Sequence, residues 1–134
     1  MNTECFRVLP GQDLAEAIKH YCAERQIQAA AVVACAGCLS VVRFRMADGV
    51  TIYEKQVDTE IVSLSGTFSE QGMHVHISVC DQELHTFGDH LTSGCIVNTT
   101  AEVVLLHLDQ WRLTRTLDPA TGYDELNAER IGEA

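Results

Sequence analysis

The stretch Met73-His74-Val75-His76-Ile77-Ser78-Val79, with Gly88-Asp89-His90-Leu91 after it, decides how this chain is read. Apolar and polar residues alternate through residues 73–79, the period-two pattern of a strand with one face in a core and the other open. Val75, Ile77 and Val79 take the inner face. His74 and His76 share the outer one, about 6.5 to 7 Å apart along the backbone. Two imidazoles at that spacing can converge on one metal ion. A third from His90, carried back by the intervening turn, would complete three nitrogen ligands and leave a fourth tetrahedral position open for water or a ligand. Taken alone, an H-x-H pair is equally compatible with solvated histidines on the wet face of an antiparallel strand.

Outward from that stretch the β pattern continues on both sides. Residues 60–68, Glu-Ile-Val-Ser-Leu-Ser-Gly-Thr-Phe, alternate as a half-buried strand, and the short Gln71-Gly72 connection to the histidine strand implies antiparallel pairing. Upstream, residues 30–35 form a nearly continuous apolar run, as expected for a strand covered on both faces. Gly37 then marks a bulge or bend before a further strand over 39–45, and Asp48-Gly49 signals a hairpin into residues 50–53. Downstream, residues 95–97, 101–108 and 111–117 supply more strand pattern. The end, Asp118-Pro119-Ala120-Thr121-Gly122-Tyr123, is turn-rich.

One helix stands among these strands. After a first strand at 5–9 and the Pro10-Gly11 turn, residues 13–25 place Leu14, Ala17, Ile18, Tyr21 and Cys22 on one face, with Glu16, Lys19 and Glu24 on the other. Asp13 at its start and Arg25 at its end suit the helix dipole. The expected fold class is therefore α+β, a mostly antiparallel β-sheet covered by an amphipathic helix.

The 134 residues, 46% hydrophobic and 21% charged, fit one compact domain, taken as 1–123 with an acidic C-terminal tail at 124–134. A formal net charge of -10 repels phosphate backbones and anionic membrane surfaces. The first residues lack the basic and apolar regions of a secretory signal, and the most apolar run, 29–39, falls short of the roughly 20 residues of a membrane helix. A soluble cytoplasmic protein with reduced thiols is expected. No glycine-rich phosphate loop is present.

Taken together, several pieces resemble the plant and prokaryote conserved domain, found behind AT-hook segments in plants and as a stand-alone protein in bacteria and archaea. They are Arg7 with Pro10-Gly11-Gln12-Asp13-Leu14, the Gly37 bend, Glu60-Ile61-Val62-Ser63-Leu64-Ser65-Gly66-Thr67, His74-Val75-His76-Ile77-Ser78, Gly88-Asp89-His90-Leu91 with Gly94, Glu102-Val103-Val104, and Thr121-Gly122-Tyr123 with Leu126. They run in order through nearly the whole chain. The resemblance implies a compact α/β fold, a homotrimer, and a metal, zinc, held by His74, His76 and His90. It also carries a DNA-binding label for the family, although this sequence has no Arg-Gly-Arg-Pro hook. Two positions depart from the family pattern: Asp89 stands where a second glycine is usual, and Glu83 where a turn glycine is common.

Other candidate groups are weighed by chemistry. Asp89 could orient a ligand imidazole or accept a proton near a bound water, or be a solvated loop residue. Glu102, inside an apolar strand, needs a partner such as Arg7 or Arg115. Cys35-Ala36-Gly37-Cys38 is a C-x-x-C, but no helix follows it, and strand residues three apart point to opposite faces, so inert thiols are expected rather than a redox centre. His85 could join the metal site only if its turn folds inward. His20 and His107 have no ligand partner in sequence. Nine basic residues, grouped only as Arg43 with Arg45 and Arg112 with Arg115, form no extended stripe, so duplex DNA is not an expected partner of the isolated chain. The resulting expectation is a trimeric metal-binding module. The alternatives are a zinc-dependent hydrolase or lyase acting on a small polar molecule, and a DNA-associated protein by family label.

Overall fold

A computed structural model of the chain describes residues 2–132. It is a mostly antiparallel β structure with one short helix. The elements in order are β1 (Asn2–Val8), α1 (Leu14–Glu24), β2 (Ala29–Arg45), β3 (Ile52–Ser69), β4 (Gly72–Cys80), β5 (Thr86–Leu91), β6 (Ile96–His107), β7 (Trp111–Leu117) and β8 (Asp124–Arg130). Six strands form one sheet in the order β1-β6-β2-β3-β4-β5, and β2 also pairs with β5. That extra pairing sets Phe44 opposite Leu91 and Arg45 opposite His90. Strands β2 to β5 thereby close on themselves, which removes an open edge next to the histidines.

Helix α1 forms where the 3.6-residue spacing places it, and it buries Leu14, Ala15, Ile18 and Cys22 in the core that also holds Val8, Val103 and Leu105. Asp13 is its N-cap, accepting from the Glu16 backbone N–H at 3.1 Å and from the Gly94 N–H at 2.6 Å, so one carboxylate both caps the helix and ties it to the β5–β6 turn. Arg25 closes the helix with its guanidinium 3.7 Å over the Tyr21 ring. Among the described residues no helix is long and apolar enough to cross a membrane.

Three features differ from the sequence pattern. Residues 30–35 are not covered on both faces within the single chain: Val33 is 59% exposed, because α1 packs on one face only. The hairpin signal at Asp48-Gly49 leads into one long strand, β3, running unbroken through the charged residues 54–58, where pairing with Val41, Val42 and Arg43 overrides poor strand propensity. The acidic segment expected as a tail at 124–134 supplies β8, which pairs with β7 from Leu117–Asp124 to Trp111–Arg130. Its seven residues are all exposed, so no burial pattern marked it in the sequence.

Two glycines set strand spacing. Gly37 lies where β2 shifts register against β6, and a Cβ there would meet the Thr100 carbonyl oxygen at 2.1 Å. Gly66 (φ +149°) faces Val75, between the two histidines of β4, and a Cβ there would meet the His74 carbonyl oxygen at 2.0 Å. Gly66→Ala should therefore push β4 from β3 and cost about 2 to 3 kcal/mol, by strain in the glycine-favoured backbone region and steric displacement. Urea denaturation checks this: a midpoint within error of the parent would show that the strand contact is not rigid.

Candidate metal centre

The site grows out of ladder register. Residues directly opposite in an antiparallel pair lie about 4.5–5.5 Å apart and point to the same face. His90 of β5 is opposite His76 of β4, His76 is opposite Ser65 of β3, and His74 is opposite Thr67. Alternation brings His74 and His76 to the same face of β4, and the register adds His90 from the neighbouring strand. Ring centroids are separated by 5.0 Å (His74–His76), 5.2 Å (His74–His90) and 5.6 Å (His76–His90).

One ligating nitrogen from each ring lies within 4.8 Å of the others. Tetrahedral zinc with Zn–N bonds of about 2.0–2.1 Å places its ligand nitrogens about 3.4 Å apart, so small rotations bring the rings into range. The donor set, three imidazoles and no competing carboxylate, suits zinc and its neighbours in the transition series and is a poor cage for calcium or magnesium.

The electrostatics favour the neutral form of His74 and His90. His90 is pushed down to about 4, first by burial and then by the positive charge of Arg45 and the neighbouring histidines, with Asp89 opposing. His74 is lowered by burial, then by His76, Arg115 and Arg45, with Glu125 opposing. Both shifts hold the neutral form, the form a metal needs.

Beside the rings opens a cleft of ≈ 460 Å³ lined by Arg45, His74, His90, Arg115, Tyr123, Asp124 and Glu125, among others. A larger cleft, ≈ 980 Å³, lies between α1 and the β3–β4 turn. Its lining holds no metal-ligating cluster among the described residues, and the donor set rather than size identifies the site.

The other sequence candidates are placed elsewhere. The Asp89 side chain accepts from the His90 backbone N–H at 2.9 Å and lines a separate recess with Phe44, Tyr53 and Phe87. Glu102 is exposed rather than buried, and needs no ion pair. Arg7 lies opposite it in register but donates to Thr100 Oγ1 and the Thr99 carbonyl oxygen. His85 sits in its turn, 3.5 Å from Asp81 and 3.6 Å from Glu83, and His20 lies 3.1 Å from Glu24 on the helix. Cys35 packs on the core with its thiol pushed up to about 11, by burial and then by Glu102, while Cys38 accepts from the Thr99 N–H. All six cysteines are free. Arg45, Arg115 and Tyr123 were not signalled as cleft residues, because the pairing of β2 with β5 and the folding-over of the β7–β8 ribbon are long-range events with no local pattern.

A closed antiparallel sheet with three imidazoles gathered on one strand pair defines a small β-domain with a candidate metal site. The chain belongs to the Plants and Prokaryotes Conserved (PCC) domain family, which it matches over residues 1–109. It is 41% identical over 129 residues to the bifunctional protein GlmU of Synechococcus sp. (strain JA-3-3Ab), a match covering 96% of this chain and 21% of that protein. The chain thus spans about a fifth of the length of the curated relatives it matches. Among solved structures, a hypothetical protein from Salmonella enterica superposes with a TM-score of 0.93 at 31% identity, over 96% of this chain and 94% of that one. A metal-containing protein from Archaeoglobus fulgidus gives 0.77 at 25% identity, over 93% and 92%. A protein from Bacteroides thetaiotaomicron, provisionally described as DNA-binding, gives 0.85 at 21% identity over 94% and 91%, a likeness of fold.

In metal-free protein the shift of His90 has a defined consequence. Its folded value lies below the ordinary histidine range, so the unfolded chain takes up the proton first as pH falls. The stability His90 contributes is full above about pH 6.5 and is lost progressively towards about pH 4. Ring-nitrogen NMR of the metal-free chain should show His90 neutral at pH 5.5, and an ordinary midpoint near 6.5 would contradict the burial seen here.

Proposed function

We propose that this chain is a metal-binding PCC-domain protein in which His74, His76 and His90 hold one divalent ion, zinc, and that it acts as a homotrimeric binding or regulatory module. The observation that carries this reading is the set of three ligating nitrogens within 4.8 Å of one another, on strands whose register fixes them. The metal-containing archaeal protein of the same fold supports it. So does the likeness to a segment of a longer bifunctional protein, a setting that suits an accessory binding domain.

A second reading follows from the cleft that opens beside the rings. Three histidines with a free coordination position are what a metal-activated water requires, and the same site would then serve a zinc-dependent hydrolase or lyase on a small polar molecule. The DNA-binding label of related structures draws less support from this surface. The Arg43 guanidinium bonds Ser93 O at 3.1 Å and lies 3.9 Å from Glu54, Arg45 turns to His90, and Arg112 pairs with Glu129 at 3.4 Å. Few basic side chains remain free to meet a phosphate backbone.

Purified, tag-free protein should hold about one zinc per chain by elemental analysis, and His76→Ala should lower that content at least ten-fold, because two imidazoles make a weak site. Absence of metal in unchelated protein, or unchanged content in the variant, would overturn the metal reading.

The homotrimer is supported by apolar side chains left open on central strands, Val33 at 59% and Val62 at 56% exposed, which a partner copy would cover. Light scattering coupled to gel filtration should give three chain masses at micromolar concentration; one chain mass removes the trimer.

A further inference from the structure

Two arginines line the cleft beside the imidazoles, and neither is in an ion pair among the described residues. Arg45 is the more constrained. Its Nε is buried with no hydrogen-bond partner, and its Nη2 lies 3.4 Å from Nδ1 of His90, the residue opposite it in the β2–β5 ladder. A guanidinium has five N–H donors, no acceptor, and a charge it does not lose, so this contact holds only while Nδ1 offers a lone pair.

A neutral imidazole has one lone-pair nitrogen and one N–H. A metal bound through Nδ1 would occupy that lone pair, and one bound through Nε2 would leave the hydrogen on Nδ1. On either geometry His90 stops accepting from Arg45. The guanidinium would then face the metal-side cleft with Nε and Nη2 both unmatched, in a setting where an unpaired donor is costly.

We propose that this cleft is a subsite for a small oxyanion, a carboxylate or a phosphate, held by the Arg45 fork with Arg115, and that the oxyanion and the metal bind cooperatively. The inference rests on the three-histidine metal reading and deepens it by naming the ligand class. A planar fork matches two oxygens of a carboxylate or phosphate at once, which an isolated lysine would not do. Tyr123 adds a neutral donor to the same wall. Asp124 and Glu125 line the cleft too and repel excess negative charge, which limits the ligand to a small anion and keeps out polyanions, in line with the net charge of -10.

Calorimetric titration of the full chain with acetate, and separately with inorganic phosphate, tests this on zinc-loaded and metal-free samples whose zinc content is measured in parallel. The expected result is at least about ten-fold tighter oxyanion binding to the loaded protein and, by reciprocity, zinc affinity raised by the same factor when oxyanion is present. Arg45→Gln should lose at least about ten-fold in oxyanion affinity with its zinc content kept, and Arg45→Lys, with the charge but not the fork, should recover only part. Arg115→Gln should lose a smaller factor. Tighter binding of either probe supports the subsite and names the source of the oxyanion. Equal affinity in loaded and metal-free protein overturns the proposal, as does unchanged oxyanion affinity in a folded, zinc-loaded Arg45→Gln. Protein that takes up no zinc overturns the metal reading and this one with it, and the zinc measurement tells that failure from the loss of the oxyanion subsite alone.

Discussion

The closing of β2 onto β5 is the contact on which the site depends. It sets Arg45, His90, His76 and Ser65 in one row across four strands, each opposite the next, and His74 joins from two residues along β4. Backbone hydrogen bonds fix such a row to within a fraction of an ångström, whereas three histidines on loops would have to be ordered by the metal itself. A slip of one residue in the β4–β5 pairing would turn His90 to the other face of the sheet and leave two imidazoles. Gly88 permits the close approach of β5 to β4 at the Ile77 carbonyl, Gly66 does the same for β3, and the buried Val75, Ile77 and Val79 hold β4 from behind.

What could be read in the sequence was what has a short period. The helix showed itself through Leu14, Ile18 and Cys22, and the histidine strand through alternation with Val75, Ile77 and Val79, all of which are buried. Gly37 announced the register shift in β2 because only a residue without a side chain permits that approach to Thr100. The rest depends on chain segments far apart in sequence. Residues 54–58 carry no strand pattern of their own and join β3 by pairing with β2, and the acidic Asp124–Arg130 looks like a tail until β7 is laid beside it. Arg45 read as half of a basic pair with Arg43, yet the closure of the sheet sends the two side chains to different partners, His90 and Ser93. Glu102 was expected to be buried because its neighbours are apolar, but strand alternation places it on the open face.

The cysteines illustrate how environment overrides motif. A C-x-x-C is reactive when one sulfur is held as a thiolate, by a helix N-terminus or a nearby cation. Here Cys35 is instead pushed up to about 11 by burial and by the carboxylate of Glu102, the opposite sign of perturbation. Cys22 and Cys95 are raised to about 11 by the same first cause. These thiols serve as small apolar side chains in a core that α1 and the sheet share.

The centre divides into two parts with different tolerances. The imidazoles come from β4 and β5, inside the segment that matches the family, where register permits little variation. Arg115, Tyr123, Asp124 and Glu125 lie beyond residue 109, on or next to a two-stranded ribbon whose second strand is wholly exposed. A lone two-stranded ribbon is marginally stable in water, so this one depends on what it docks against, with Leu113 buried and the Arg115 N–H bonded to Gln71 in the β3–β4 turn. Substitutions in the ribbon can therefore change the cleft wall while leaving the histidine row in place, whereas substitutions that disturb the row would remove the reason for the wall. Imidazole positions set by the sheet, and a cleft wall that the sheet shares with the ribbon through Arg45 and Arg115, is the arrangement that these unequal constraints favour.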